Sequence, residues 1–301
     1  MTRTKLWRTL LALALAVAAL AVAACGDDED EGDGGGGDGD QAGEARQFPA
    51  DTTMGKIQER GEITIGVKFD VPPFGFENPQ TGDVEGFDVD MGRIIAEELG
   101  VEPKFVEAIS DNRIPFLQRG TVDLILSTMT INQERDQEIE FSEPYYVARG
   151  RILVPGDSDI QGVEDLAGNS VCTALGSTYE ETLREQAPDA ELRLVDLYSE
   201  CLELLQNGAV DAISTDDVIL TGMIIQDDTL KLVGDELTIE PYGAGIKEGD
   251  TEFQRFVSDT LEAAQADGRW EEIYREWVGQ YVDQDQPPPE MTLERALELG
   301  D

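Results

Sequence analysis

The sequence predicts an α/β protein made of two lobes. Short apolar runs alternate with segments of helical periodicity, and this alternation predicts α/β units with largely parallel sheets. The alternation occurs twice, over residues 63–126 and again over residues 170–214. The part expected to fold, residues 48–282, is long enough for two modest domains. We therefore expect one α/β lobe for each series.

The first series begins with a buried strand at 63–69. A helix is predicted over 88–99, because apolar residues recur there at helical spacing and Gly100 follows. The other elements predicted for this series are strands at 104–107 and 122–126 and a short helix at 113–118. An extended run at 151–154 comes between the two series.

The second series has three strands and two helices. They are predicted at 170–174, 192–195 and 210–214 for the strands, and from 179 and at 201–206 for the helices. A late strand at 242–246 is expected to return to the first lobe, and helices are expected at 252–265 and 270–277. We expect the first lobe to comprise 48–148 and 241–282, the second lobe 149–240, and a tail with a mobile short helix 283–301.

The N-terminus has the pattern of an export signal. Residues 1–8 carry three cations, and residues 9–24 are uncharged and apolar. These sixteen residues are fewer than the roughly 20 that a membrane-spanning helix needs. The stretch Val22-Ala-Ala-Cys25 resembles a bacterial lipobox, in which the Cys carries lipid chains such as palmitate and becomes the mature N-terminus. An ordinary secretory signal with an incidental Cys25 is the alternative.

An acidic, glycine-rich tract follows the signal. Residues 26–45 contain no aromatic or branched apolar side chain, so they cannot bury enough surface to offset the entropy of ordering. We expect residues 25–47 to be a solvated tether between a lipid anchor and the lobes. A calcium site in this tract is the alternative, but no loop pattern with a defined ligand geometry is present.

The composition excludes several classes of function. The formal net charge is −42, from 22 Lys and Arg against 64 Asp and Glu, which disfavours nucleic acid as a partner because phosphate binding needs clustered cations. The chain has no His, the commonest general base and the commonest transition-metal ligand. We therefore expect no metal and no cofactor.

Two cysteines, Cys172 and Cys201, lie within the second series. A disulfide between them is permitted in an exported chain. The loop of 30 residues that it would close corresponds to a stabilisation of about 3.6 kcal/mol from chain entropy. Two free buried thiols are the alternative, and neither cysteine is expected to be catalytic, because no His is available to form a thiolate.

Cations are scarce, so their positions are informative. Lys68, Arg113 and Arg135 all lie near the ends of predicted strands, where ligands bind in open α/β sheets. The hydroxyl side chains that accompany them are Ser127, Thr128 and Thr130. The alternative is that each cation pairs with a neighbouring acid at the surface.

A second polar group lies in the second series. Gly176-Ser177-Thr178 precedes a predicted helix, and helix N-termini favour carboxylates. Asp216 follows the strand at 210–214 and could hold an ammonium group. A carboxylate site together with an ammonium site describes a binding site for an amino acid.

Several spaced motifs over residues 56–279 carry a family resemblance. They are Val71-Pro-Pro-Phe74, Gly86-Phe-Asp-Val-Asp-Met91, Ile114-Pro-Phe-Leu117, Thr130-Ile131 with Glu134-Arg135, Phe141-Ser-Glu-Pro-Tyr-Tyr146, and Val210-Asp-Ala212 with Asp216. Together these motifs resemble the family 3 extracellular solute-binding proteins, which serve ABC importers of polar amino acids. The resemblance implies a type II periplasmic-binding-protein fold, in which two lobes joined by a two-strand hinge close on the ligand.

The resemblance also implies roles for residues that would bind the amino-acid backbone. Arg135 would bind the ligand α-carboxylate, helped by Thr130 and the backbone around Thr128. Ser177 and Thr178 of the second lobe would complete this carboxylate site. Asp216 would bind the α-amino group.

Other positions bear on the ligand side chain. Lys68 and Arg113 match family members that bind glutamate and aspartate, where two cations neutralise the side-chain carboxylate. Many members have an aromatic ring where this chain has Val71, and Phe74 is the candidate substitute. We expect an acidic amino acid as the ligand, with glutamine as the alternative.

The resemblance implies a monomer on the extracytoplasmic face of the membrane, anchored by lipid, that delivers its ligand to an ABC permease. A dehydratase on the same fold is one rival, but without His only a carboxylate, Tyr or Lys could act as acid or base. A sensor lobe like that of ionotropic glutamate receptors is another. It would require membrane segments inside or after the domain, and the sequence shows none.

Overall fold

Residues 46–282 and 286–300 are described by the structure, a computed structural model. The predicted signal peptide, Cys25 and nearly all of the predicted tether lie outside the described residues. Within the described residues no helix is both long and apolar enough to cross a membrane. The two predicted series form two α/β lobes.

The chain first builds most of lobe one. Its elements are α1 (Thr53–Arg60), β1 (Glu62–Val67), β2 (Asp70–Val71), β3 (Gly75–Glu77), β4 (Val84–Glu85), α2 (Phe87–Leu99), β5 (Glu102–Glu107), α3 (Arg113–Arg119), β6 (Leu124–Ile125), α4 (Gln133–Asp136) and β7 (Ile139–Phe141). The long strand β8 (Tyr146–Pro155) then leads into lobe two.

Lobe two is continuous in sequence, and the chain afterwards returns to lobe one. The elements of lobe two are β9 (Ser170–Ala174), α5 (Tyr179–Gln186), β10 (Glu191–Val195), α6 (Tyr198–Gln206), β11 (Ala212–Asp216), α7 (Asp217–Gln226) and β12 (Leu230–Val233). The return elements are β13 (Ile239–Tyr242), β14 (Gly245–Lys247), α8 (Thr251–Asp267), α9 (Arg269–Trp277) and α10 (Leu293–Leu299).

Each lobe is organised around one main sheet. The sheet of lobe one has the order β5-β1-β6-β14-β7, in which β1 runs parallel to β5 and β6. The main sheet of lobe two has the order β10-β9-β11-β8-β12, in which β9 runs parallel to β10 and β11. Parallel neighbours connected by helices place the ends of β1, β6, β9 and β11 at one edge of each sheet, where a ligand site is expected.

Two antiparallel strands form the hinge. The first part of β8 pairs with β13, with Tyr146 opposite Tyr242 and Arg149 opposite Ile239, and the later part of β8 pairs with β11 and β12 of lobe two. The predicted lobe boundaries at 148/149 and 240/241 fall inside these hinge strands. The exact division of the chain into lobes stays a prediction.

The predicted return strand at 242–246 is wrong in its extent, because the structure divides this segment into two strands. β13 pairs with β8 in the hinge, whereas β14 pairs with β6 and β7 in lobe one. The change of partner occurs at Gly243, whose N–H donates to Met129 O at 3.0 Å. A Cβ on Gly243 would lie 2.7 Å from Ile131 Cγ1, so glycine lets the chain pass close to lobe one.

Sequence periodicity missed α7. This helix is apolar on all sides, with Val218, Ile219, Leu220 and Met223 buried. The apolar residues are spread around the helix and include the exposed Ile225, so they give no periodic signal. The helix is therefore defined by its tertiary surroundings.

The two cysteines of lobe two are joined in the structure. The Cys172–Cys201 disulfide connects β9 to α6, and both cysteines are fully buried. The bridge holds α6 against the central sheet of lobe two.

The C-terminal helix α10 packs on lobe one, which differs from the mobile segment expected from the sequence. Ala296 is fully buried in an apolar cluster that includes Ile131 and Phe141. Leu293 N–H donates to Glu143 Oε2 at 2.6 Å, and Gln286 Nε2 donates to Val147 O of the hinge strand at 2.9 Å. The tail is thus part of the surface of lobe one beside the hinge.

Candidate functional site

A cleft between the two lobes is lined by three of the ten predicted binding residues, Arg135, Ser177 and Thr178. Its outer part is a cavity of about 970 Å³, lined by Ser110 and Arg135 of lobe one, by Gly176 and Thr178 of lobe two, and by Glu240 of the hinge. The predicted residues Lys68, Arg113 and Asp216 lie deeper and are almost completely buried. The candidate site therefore extends from the cavity into the contact between the lobes.

Lys68 follows β1 and points its ammonium group into this contact. Its side chain is only 2% exposed, and Nζ donates to Ser110 Oγ at 2.7 Å. Nζ also lies 5.5 Å from the ring centroid of Tyr198 in lobe two, a cation–π distance. Burial, followed by the nearby Arg113, lowers the pKa of Lys68 to about 7.

Arg113 begins α3 and organises the floor of the cleft. Nη1 donates to Ser127 O at 2.9 Å and to Thr128 O at 3.1 Å, and Nη2 donates to Gly176 O at 3.4 Å. The last bond crosses from lobe one to lobe two. Burial is the main cause that lowers the pKa of Arg113, and Arg135 is the second.

Arg135 lies in α4, which Asn132 caps by accepting from Arg135 N–H at 2.9 Å. Its Nη1 donates to Thr130 O at 2.8 Å, and Nη2 donates to Gly176 O at 3.2 Å. Burial lowers the pKa of Arg135, whereas the charge of Glu240 acts in the opposite direction. Two guanidinium groups of lobe one thus share one carbonyl of lobe two.

None of these three cations has a carboxylate within ion-pair distance among residues 46–282 and 286–300. Their donors go to hydroxyl and carbonyl oxygens instead, as given above. The alternative reading, surface pairs with neighbouring acids, is therefore wrong for these residues. A buried cation without an anion is costly, so the site is suited to receive anionic groups.

Thr128 has an unusual backbone conformation beside Arg113. Its φ is 44°, a left-handed value that is rare for a β-branched residue. Its N–H donates to Asp88 Oδ2 at 2.8 Å, and its carbonyl accepts from Arg113. Strain of this kind persists where the surroundings hold the backbone from both sides, and such positions cluster at ligand sites.

Asp88 is a buried residue that the sequence reasoning missed. Besides Thr128 N–H it accepts the hydroxyl of Tyr145 at 2.8 Å, and it is fully buried. Burial raises the pKa of Asp88 to about 7, against the effect of these hydrogen bonds. The available signal was its place in the first turn of α2, within the motif Gly86-Phe-Asp-Val-Asp-Met91.

Glu240 is a second missed residue. It lies in β13 and is 2% exposed. Its Oε2 accepts from Thr130 of lobe one at 2.5 Å and from Thr178 of lobe two at 3.1 Å, and Oε1 accepts from Thr238 at 2.6 Å. One hinge carboxylate therefore contacts both lobes, through two hydroxyls that were predicted to face the ligand.

Asp216 ends β11 and comes directly before α7. It is 4% exposed, and Oδ1 accepts from the hydroxyl of Tyr179 at 2.8 Å. Burial, followed by the charge of Glu240, raises the pKa of Asp216 well above its usual range. An ammonium group placed beside it would favour the ionised carboxylate.

Three other predicted residues make internal contacts. Ser127 Oγ donates to Ala108 O at 2.8 Å, and Ser177 Oγ donates to Ala174 O at 2.7 Å. Phe74 is fully buried and packs against the rings of Phe87 and Tyr146, with centroids 5.0 and 4.9 Å apart. The structure thus shows these side chains supporting the walls of the site.

The arrangement can bind a small zwitterion. The buried cations Lys68, Arg113 and Arg135 belong to lobe one, where Asp88 is a buried acid. The buried acids Asp216 and Glu240 belong to lobe two and the hinge. Among the described residues no cluster of His, Cys, Asp or Glu has the geometry of a metal site.

Comparison with known proteins gives consistent results. A family model described as bacterial extracellular solute-binding proteins, family 3, matches residues 63–280. The chain is 39% identical over 240 residues to the ABC transporter glutamine-binding protein GlnH of Bacillus subtilis. The aligned region covers 78% of this chain and 88% of that protein.

Two further similarities concern other ligands. The chain is 35% identical over 237 residues to the glutamate-binding protein GluB of Corynebacterium efficiens, covering 74% of this chain and 80% of that protein. Its structure is similar to that of an ancestral arginine-binding protein bound to glutamine, with a TM-score of 0.70 and 35% identity over 73% of this chain and 99% of that chain. These names span glutamine, glutamate and arginine, so similarity alone leaves the side-chain preference open.

Proposed function

The chain belongs to the bacterial extracellular solute-binding proteins of family 3, and we propose that its ligand is an acidic amino acid, glutamate or aspartate. Proteins of this family act outside the cytoplasm and deliver amino acids to the permease of an ABC importer. The relatives are binding proteins of transporters, in agreement with the expectation that the chain is not an enzyme.

The observation that supports an acidic ligand is the group of buried, unpaired cations. An acidic amino acid brings two carboxylates and one ammonium group. In this proposal Arg135 binds the α-carboxylate, helped by Thr130 and by the backbone of Thr128. Ser177 and Thr178 of lobe two complete this carboxylate site. Lys68 and Arg113 bind the side-chain carboxylate, and Asp216 binds the ammonium group. A guanidinium group binds a carboxylate through two parallel hydrogen bonds, which suits a desolvated cleft.

Glutamine is the second candidate, because GlnH is 39% identical to this chain. The lowered pKa of Lys68 is compatible with it. A neutral lysine can accept a hydrogen bond from an amide, so only Arg113 would remain a charged neighbour of the side chain. A side-chain carboxylate therefore favours the charged form of Lys68, whereas an amide can pair with either form.

The test is a calorimetric titration of the purified protein, unfolded and refolded to remove bound ligand, with glutamate, aspartate, glutamine and arginine. We expect glutamate or aspartate to bind most tightly. Arg113→Ala should weaken glutamate by about 10- to 100-fold and glutamine much less, because it removes a charge-assisted hydrogen bond worth about 1.5–3 kcal/mol.

The quantity that tests the proposal is the ratio of the affinities for glutamate and glutamine in Arg113→Ala. Arg113 also supports the backbone of Ser127 and Thr128, and loss of that support would weaken both ligands equally. Arg119→Ala, at the exposed end of the same helix, is the matched control and should change neither affinity. A wild-type preference for glutamine or arginine would show that the roles given to Lys68 and Arg113 are wrong.

A lipid anchor at Cys25 completes the proposed function. The supporting observation is the Val22-Ala-Ala-Cys25 junction after an uncharged run, and two acyl chains bind a membrane stably where one is marginal. In bacteria grown with a labelled fatty acid, the wild-type chain should carry label, and Cys25→Ala should not. Label on the Cys25→Ala variant would contradict the anchor without affecting the proposed ligand.

A further inference from the structure

Helix α7 of lobe two passes very close to a loop of lobe one. Gly222 lies in the interior of this helix, and Pro72 lies in the turn between β2 and β3. A Cβ on Gly222 would lie 1.7 Å from Pro72 O and 2.8 Å from Pro72 C. No side chain fits in that space, and the contacting atoms are backbone, which cannot rotate away.

The helix itself does not account for this glycine. Glycine in a helix interior is less favourable than alanine, because it loses more backbone freedom on folding. The buried neighbours of Gly222 in α7 are large apolar residues such as Leu220 and Met223. The close approach to lobe one is the feature of the structure that requires glycine at this position.

The contact belongs to a larger surface on which lobe two rests. Ser199 N–H, in the first turn of α6, donates to Asp70 Oδ2 at 3.0 Å, and Asp70 lies two residues before Pro72. Tyr198, beside Ser199, covers the ammonium group of Lys68. The approach at Gly222 is therefore continuous with the contact that buries a predicted ligand-binding residue.

A second glycine makes a similar contact at the other predicted binding segment. A Cβ on Gly176 would lie 2.7 Å from Asp111 Cα of lobe one. Gly176 also has φ of 72°, so any substitution there would be strained for local reasons. Gly222 offers the cleaner test, because its backbone is helical and accepts alanine when the lobes are apart.

We propose that Gly222 permits the lobes to close fully on the ligand and thereby acts as a positioning residue for binding. It contacts no ligand itself. Its missing side chain lets α7 reach the Pro72 turn, and this brings Asp216, at the start of the same helix, and Tyr198 toward the cations of lobe one. The inference rests on binding by lobe closure and does not depend on the proposed acidic ligand.

The test is Gly222→Ala, whose two effects have opposite signs. In the ligand-free protein, alanine favours α7, so the melting temperature should stay the same or rise by about 2 °C. Closure then meets the Cβ, so the dissociation constants of L-glutamate and L-glutamine should both rise at least about tenfold. Small-angle scattering should show the compaction that ligand causes in the wild type, and less of it in the variant.

Gly92→Ala is the matched control. Gly92 lies in the interior of α2, but a Cβ there would meet side-chain ends of Ile65 and Phe105 within lobe one, at 3.1 and 3.2 Å. It should leave both affinities within about twofold of wild type, whatever its effect on melting.

Two outcomes would overturn the inference. Affinities of Gly222→Ala within twofold of wild type would show that closure tolerates the side chain. A fall of more than 5 °C in the melting temperature of the ligand-free variant would show that the contact exists without ligand, as a permanent part of the fold. A wild-type preference for glutamine would refute the acidic ligand and leave this inference untouched, since both amino acids are titrated.

Discussion

The two lobes differ in the buried charged side chains that they contribute beside the cleft. Lobe one contributes the buried cations Lys68, Arg113 and Arg135, whereas lobe two contributes Asp216 and the hinge contributes Glu240. In the part of the chain that the structure describes, Arg113 and Arg135 each donate one hydrogen bond to lobe two, in both cases to the carbonyl of Gly176. Under the proposed function, the carboxylates of the ligand would face the cations of lobe one and its ammonium group would face Asp216 of lobe two.

The lobes also differ in how the chain holds them together. Lobe one is assembled from two distant chain segments, and its return segment inserts β14 between β6 and β7 of the sheet. Lobe two is one continuous segment closed by the Cys172–Cys201 disulfide. Lobe one therefore depends on long-range packing, whereas lobe two has a covalent constraint. Four predictions test this comparison, in order of expected effect.

The largest effect is expected at the carboxylate side of the cleft. Arg135→Ala should abolish measurable binding of every amino acid, by about 1,000-fold or more, because the α-carboxylate is common to all of them and would lose its bidentate partner. Calorimetry with glutamate and glutamine measures this. Arg193→Ala, at an exposed position of β10 in lobe two, should bind like wild type. A glutamate affinity of Arg135→Ala within tenfold of wild type would show that Arg135 does not bind the α-carboxylate.

Reduction of the disulfide should destabilise lobe two alone. The chain-entropy relation for the 30-residue loop gives a loss of about 3.6 kcal/mol in the free energy of unfolding. Of the three tryptophans, Trp7 lies in the predicted signal peptide, whereas Trp270 and Trp277 lie in lobe one. In a chain that begins at Cys25, tryptophan fluorescence therefore follows that lobe, whereas circular dichroism follows both. In urea with a reducing agent, the dichroism transition should begin before the fluorescence transition. Coincident transitions in the reduced protein would mean that the lobes unfold as one unit.

The pH dependence of binding should report Lys68. With a pKa of about 7, its ammonium group is already charged below that pH, so binding of a side-chain carboxylate there needs no proton. Above pH 7 the lysine buried between the lobes is neutral, and a side-chain carboxylate favours its protonated form, so binding of glutamate to this closed arrangement must take up a proton. The groups whose charges act on Lys68 are Arg113, Asp70, Asp216 and Arg135.

The affinity for glutamate relative to glutamine should therefore fall above pH 7, by at most tenfold per pH unit. Calorimetry in buffers of different ionisation enthalpy measures the proton uptake directly, and Lys68→Met should remove it. Proton uptake that persists unchanged in Lys68→Met would assign the titration to another group.

The smallest effect is expected at the tail. Ala296→Glu places a charge in the apolar cluster of lobe one, so α10 should leave its site and the melting temperature of that lobe should fall by about 2–6 °C. Glu294→Ala, at an exposed position of the same helix, is the control. Tryptophan fluorescence during heating checks the result. An unchanged transition would show that α10 adds nothing to the stability of lobe one.

The sequence by itself determined the α/β class, the two series and the positions of the cations. These features are local: strand and helix periodicity, and charged residues placed where a strand ends. The same local logic located Arg113 and Asp216, which the structure brings to facing sides of one cleft. It also gave α2 nearly its full length, because Gly100 ends that helix with a left-handed φ of 69°.

Only the tertiary structure decided the roles of Asp88, Glu240 and Gly222. Asp88 supports Thr128 from forty residues away, and Glu240 accepts hydroxyl groups from both lobes. The need for glycine at position 222 is evident only from its close approach to Pro72. A sequence pattern describes neighbours along the chain, whereas each of these residues acts on a segment that folding alone brings into contact.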